Sequence, residues 1–137
     1  MYRFAIVASE YNSVIMDRLI VGAKRTLKDQ KAVRVIRVPG AFEIPVAAKR
    51  AAISKKYDGI VALGCVMRGE TPHFEYISSS VSNALQQVML ETGVPVGFGL
   101  LTVDTVQQAM DRSGDSGNKG SEAAMAALSM VQVLGGI

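Results

Sequence analysis

Apolar positions along the 137-residue chain follow two rhythms that alternate from one end to the other. Short apolar, β-rich runs stand at 2–8 (YRFAIVA), 33–38 (VRVIRV), 59–66 (GIVALGCV) and 95–101 (PVGFGLL). Between the first two, Val14, Ile15, Leu19, Ile20, Ala23 and Leu27 recur at helical spacing and predict a helix over 13–30. Pro45 suits the first turn of a second helix running to Lys56, because the proline ring pre-sets the helical φ. A long helix is expected from Phe74 to Thr92. Asp104, with Gln107 three residues on, frames another helix start, and a last helix spans Glu122–Leu134. Residues 112–118 (RSGDSGN) read as a loop. The run at 59–66 is almost continuously apolar, as a strand buried on both faces has to be.

Four strands alternating with helices predict one α/β domain over residues 1–137 in three αβα layers. Its four-stranded parallel sheet would be flanked by helices on both faces, as in flavodoxin-like folds. Such sheets bind ligands beyond the carboxyl ends of their strands. The segments there are SEYN (9–12), PGAFEIP (39–45), MRGETPH (67–73) and TVDT (102–105). The first three gather aromatic, glycine, glutamate, arginine and histidine groups at one rim. The opposite connections, DQKA and KKYD, read as solvated turns.

Composition narrows the function. An apolar content of 49% supplies a core, and the net charge of +3 is small. Basic residues are scattered, with pairs only at Lys24-Arg25 and Lys55-Lys56, which argues against nucleic acid as a partner. Mild positive charge suits a small anionic substrate. One cysteine and one histidine make neither an internal disulfide nor a zinc set. Cys65, inside an apolar run, reads as a small buried hydrophobe. No apolar stretch reaches the roughly 18 residues of a membrane span, and MYRFAIVASEYN has no signal-peptide pattern. A cytoplasmic protein without a membrane partner is expected.

Taken singly, the rim residues each allow two readings. His73, the only histidine, suits proton transfer near neutrality, and equally a structural place at the head of a helix. Gly69-Glu70-Thr71 lies between a strand and a helix, where free N–H groups hold phosphate or simply turn the chain. Tyr11 and Phe42 can sandwich a flat ring or pack against the loops. Arg112, beside a glycine-rich loop, can bind phosphate or be solvated.

Taken together they match a family. VPGAFEIP, ALGCVMRGETPHFEY, PVGFGLLTVDTVQQAMDR and GNKGSEAAMAAL occur in this order, and from Arg3 to Leu134 the chain closely resembles the 6,7-dimethyl-8-ribityllumazine synthases. The resemblance implies condensation of 5-amino-6-(D-ribitylamino)uracil with 3,4-dihydroxy-2-butanone 4-phosphate, the penultimate step of riboflavin biosynthesis, with no metal or redox cofactor. It implies that Tyr11 stacks on the pyrimidine, where the family usually has Phe or Trp. Ala41, Phe42 and Glu43 would line the ribityl and pyrimidine pocket, and Cys65, Val66 and Met67 would meet the pyrimidine edge through backbone groups. Glu70 and Thr71 would hold the butanone phosphate, and His73 would move protons. Phe98, Arg112 and Lys119 match positions supplied by a neighbouring subunit, Arg112 to the phosphate.

The same resemblance implies a homopentamer, which the family can extend to a sixty-subunit cage, and association with riboflavin synthase. Two departures stand out besides Tyr11. The 112–118 loop is about one residue shorter than usual and lacks a lysine, and the chain starts almost at the first core strand, without the family's additional N-terminal strand. Rival readings are a relative acting on related substrates, such as the archaeal type of riboflavin synthase, a non-catalytic flavin- or lumazine-binding module of the same fold, and a shell protein.

Overall fold

A computed structural model describes residues 1–137. The chain forms β1 (Arg3–Ser9), α1 (Ser13–Thr26), β2 (Ala32–Val38), a 3-10 turn (Ala41–Glu43), α2 (Ile44–Ile53), β3 (Gly59–Met67), α3 (His73–Thr92), β4 (Val96–Val103), α4 (Val106–Asp111) and α5 (Lys119–Gly135). The strands make one sheet in the order β2-β1-β3-β4, and every pairing is parallel. The predicted three-layer α/β architecture is therefore the observed one. The first crossover carries the chain outward from β1 to β2, and the next returns past β1 to β3. The direction of winding thus reverses between β1 and β3.

Side-chain alternation divides the core in two. Phe4, Ile6, Ala8, Val61, Leu63, Cys65, Leu101 and Val103 pack with α1 and α5 on one face. Ala5, Val7, Ile60, Ala62, Val66, Val96 and Leu100 pack with α2 and α3 on the other. From Gly59 through Val66 every residue of β3 is buried, which explains its unbroken apolar sequence. Burying one large aliphatic or aromatic side chain contributes about 1.5–3 kcal/mol, so these two layers carry most of the fold's stability.

Helix ends depart from the pattern for tertiary reasons. The first helix stops at Thr26, not Gln30, because the Gln30 carbonyl oxygen Oε1 accepts from the Tyr2 N–H at 3.1 Å and pins the turn beside β1. The second stops at Ile53, three residues before Lys56; Ser54 donates its hydroxyl to the Ala51 carbonyl at 2.6 Å and Lys55 turns to φ 62°. Thr105, not Asp104, caps α4: its hydroxyl accepts from the Gln108 N–H at 3.1 Å, and the Gln108 side chain accepts from the Thr105 N–H. Asp104 is drawn away to Arg68, 2.9 Å from its Nε. The last helix begins at Lys119 rather than Glu122, because the Asn118 side chain accepts from the Ser121 N–H at 3.0 Å.

Helix α5 approaches the rest of the molecule backbone to backbone. A Cβ on Gly97 would lie 2.0 Å from the Ala123 carbonyl oxygen, and one on Gly120 would lie 2.1 Å from that of Leu19. Neither obstacle is a movable side chain. Gly97→Ala and Gly120→Ala should each destabilise the fold by at least about 1–3 kcal/mol, the usual cost of overpacking. Gly135→Ala, with nothing within 4 Å, should be neutral or stabilising by up to about 1 kcal/mol. Denaturant midpoints measured at equal protein concentration check the contrast; equal midpoints for all three variants would refute the close contact.

Candidate active site

At the carboxyl end of the sheet, over the point where the winding reverses, lies a cleft of about 440 Å³. The segment after β1 contributes Tyr11. The segment after β2 contributes Pro39, Gly40, Ala41, Phe42 and Glu43. The end of β3 contributes Cys65, Val66 and Met67, and α3 contributes His73 and Ile77. The sequence-predicted residues Tyr11, Ala41, Phe42, Glu43, Cys65, Val66, Met67 and His73 therefore share one cavity. Depressions of about 600 and 660 Å³ lie elsewhere. The first of these, at the amino end of the strands, is lined partly by Lys49–Glu91 and Arg3–Asp58 ion pairs, so four of its charged groups already have partners.

The cleft has a dry floor and an exposed lip. Cys65 and Val66 are buried in the two core layers, whereas Tyr11 and Phe42 are 68% and 63% exposed. Two aromatic faces open to water at a concave site are a surface that a flat ring can cover. Burial pushes the Cys65 thiol pKa up, and the smaller opposing influence is its contact with Asn12. A thiol held protonated in an apolar wall is a poor nucleophile, so Cys65 serves as packing. Glu43 closes the 3-10 turn, whose N–H bond to the Gly40 carbonyl spans 3.2 Å. No group of three or more His, Cys, Asp or Glu side chains is placed to hold a metal ion.

Glu70 and Thr71 are not among the cleft-lining residues. They lie exposed in the β3–α3 loop, separated from His73 only by Pro72. Arg68 fixes the base of that loop. Its backbone N–H continues the β3–β4 ladder to the Val103 carbonyl at 2.8 Å, and its guanidinium pairs with Glu75 of α3 and with Asp104. It also lies 4.4 Å from the centre of the Phe74 ring. Glu75 first, and Asp104 second, raise the Arg68 pKa above its ordinary value. Sequence reasoning assigned Arg68 no role. It also missed Ile77, although Ile77 follows His73 by one helical turn and so shares its face.

Phe98, Arg112 and Lys119 lie away from this cleft. Phe98 is 40% exposed on the edge strand β4. Arg112 and Lys119 meet across the short loop: Ser113 and Asn118 form an antiparallel bridge, and the Lys119 N–H donates to the Arg112 carbonyl at 2.8 Å. The Arg112 guanidinium donates to the Gln108 carbonyl at 3.0 Å and is otherwise exposed.

No helix is long and apolar enough to cross a membrane. Among known proteins, residues 1–135 match the family model described as 6,7-dimethyl-8-ribityllumazine synthase. Two curated proteins of that name, from Nitratidesulfovibrio vulgaris strains DP4 and Hildenborough, are each 53% identical over 137 residues, covering 96% of this chain and 88% of the relative. A de novo designed Rossmann fold protein shares 14% identity at a TM-score of 0.47, over 80% of this chain and 91% of its own. With that family match across nearly the whole chain and relatives of this identity, the chain belongs to the 6,7-dimethyl-8-ribityllumazine synthase family.

Proposed function

We propose that the cleft joins 5-amino-6-(D-ribitylamino)uracil to 3,4-dihydroxy-2-butanone 4-phosphate, giving 6,7-dimethyl-8-(D-ribityl)lumazine, as a lumazine synthase of riboflavin biosynthesis. The observation that carries this reading is the meeting of Tyr11, Phe42, Glu43, the Cys65–Met67 strand end and His73 in one cavity. Tyr11 stacks on the pyrimidine, Glu43 accepts from ribityl hydroxyls, and backbone groups of Cys65, Val66 and Met67 meet the pyrimidine edge. Ala41 and Phe42 enclose the ribityl side. Glu70 and Thr71, through N–H groups and the Thr71 hydroxyl, hold the phosphate.

The chemistry is a sequence of proton-assisted steps. The 5-amino group attacks the ketone carbon and loses water to form an imine. The C3 proton is then lost as phosphate leaves C4 with its bonding electron pair, and the resulting enol tautomerises to a C3 ketone bearing a methyl group. The ribitylamino nitrogen closes the second ring on that ketone with loss of another water. His73, exposed at the head of α3, is free to take and return protons in these steps. Both partners are reactive, so holding amine and ketone together supplies much of the rate. Incubation with both substrates tests the proposal through the appearance of lumazine absorbance and fluorescence together with one phosphate per product. Binding of lumazine without turnover would instead indicate a non-catalytic module.

We further propose that the active unit is a homopentamer in which Phe98, Arg112 and Lys119 of one subunit complete the cleft of the next. Their position outside their own subunit's cleft, with Arg112 and Lys119 brought together, supports that reading. A head-to-tail contact that closes by rotation repeats one composite site at every boundary.

His73→Ala should slow turnover by about 100-fold or less, at the lower end of general acid–base assistance, because proximity is untouched. An unchanged rate in single-turnover assays would remove His73 from proton transfer. Arg112→Ala should raise KM for the butanone phosphate far more than for the pyrimidine, and Arg112→Lys should recover only part of the loss, since an ammonium keeps the charge but not the fork. Equal losses for both substrates would contradict a phosphate role. Finally, His73→Ala and Arg112→Ala subunits, dissociated and reassembled together, should recover part of the activity that each lacks. Confirmed mixed assembly with no recovery would refute a shared site.

A further inference from the structure

Asn12, which does not line the cleft, is unusual in both backbone and side chain. At φ 64° and ψ 54° it is one of only two non-glycine residues with positive φ, a conformation that asparagine tolerates better than most side chains. It stands at the N-cap of α1, where an asparagine oxygen ordinarily accepts an N–H of the first turn, yet no such bond forms. Instead its Nδ2 donates to the Cys65 carbonyl at 3.3 Å. The pairing of β1 with β3 ends at Ala8 and Leu63, so that carbonyl lies past the last rung of the ladder. The Asn12 amide therefore supplies a hydrogen bond between the two strand ends that the backbone no longer makes. The residues joined in this way, Tyr11 beside it and Cys65 opposite, both line the cleft.

We infer that Asn12 is a positioning residue for the pyrimidine half of the site, setting the Tyr11 ring at a fixed distance from the Cys65–Met67 strand end. This rests on the assignment of those residues to the pyrimidine. The left-handed turn fixes the direction in which the chain leaves β1, and the amide fixes its separation from β3. Asparagine meets both needs. Glycine allows the turn but has no amide. Aspartate also tolerates the turn, but it sets a carboxylate against a carbonyl, two acceptors with no proton between them.

Steady-state kinetics of the assembled protein tests the inference with Asn12→Gly, Asn12→Asp and Tyr11→Ala. Loss of one net hydrogen bond corresponds to about three- to tenfold in affinity, so Asn12→Gly should raise KM for the pyrimidine by that factor. Asn12→Asp should raise it further. KM for the butanone phosphate and the circular dichroism spectrum should stay as in the parent for both. If Tyr11→Ala leaves the pyrimidine KM unchanged, the assignment of the cleft is wrong and the inference falls with it. If Tyr11→Ala raises that KM while both Asn12 variants leave it alone, or raise the two KM values equally, the cleft assignment stands and the role of Asn12 is refuted.

Discussion

Contact between backbones, with no side chain in between, fixes the last helix against the rest of the molecule. The Ala123 carbonyl rests where Gly97 would carry a Cβ, and the Leu19 carbonyl rests likewise over Gly120. These two contacts hold α5 to β4 and to α1 at once. Asn118 then ties the helix start down. Its side chain caps α5 and also donates to the carbonyls of Arg18 at 3.1 Å and Gly114 at 3.2 Å. The loop between Arg112 and Lys119 is thereby closed at its base. A rigid helix thus determines where two cations stand, although neither touches the cleft.

The cleft follows a second logic. Its floor belongs to β3, which is buried on both faces and bonded along its length, and such a strand has little freedom to shift. Its lip consists of segments that leave three different strands, each secured by few bonds. Arg68 secures one of them through two carboxylates and an aromatic ring. Exposed ion pairs of this kind contribute little each, but three contacts converging on one guanidinium limit where the loop can go. Precision comes from the floor and adaptability from the lip.

The strands were legible because each depends mainly on its own pattern: continuous apolarity for β3, alternation for the edge strand β2. Helix ends were less so, since competition decides them. Asp104 looks like a cap in sequence, but Arg68, 36 residues away, takes it, and Thr105 becomes the cap instead. The rim was legible because chemically distinctive residues gather beyond the carboxyl ends of parallel strands, and because the TPHFEY stretch is specific to its family. Asn12 was invisible, since its significance lies in a bond to a residue 53 positions away and in a φ value no local pattern announces. The nearness of Arg112 to Lys119 was hidden in the same way, inside a two-residue bridge.

The pairing of Arg68 also shapes the electric field that an incoming ligand meets. Between Met67 and Ile77 the chain has one arginine and one histidine against Glu70 and Glu75, and Asp104 lies against the same guanidinium. With His73 neutral, these groups sum to a negative charge, so this loop by itself offers a dianion no long-range attraction. Backbone N–H groups can hold a phosphate once it arrives, but they do not draw it in from a distance. Any attraction has to come from cations outside the loop. If this loop holds a phosphate as proposed, its capture would depend on such outside cations and would weaken as salt screens them.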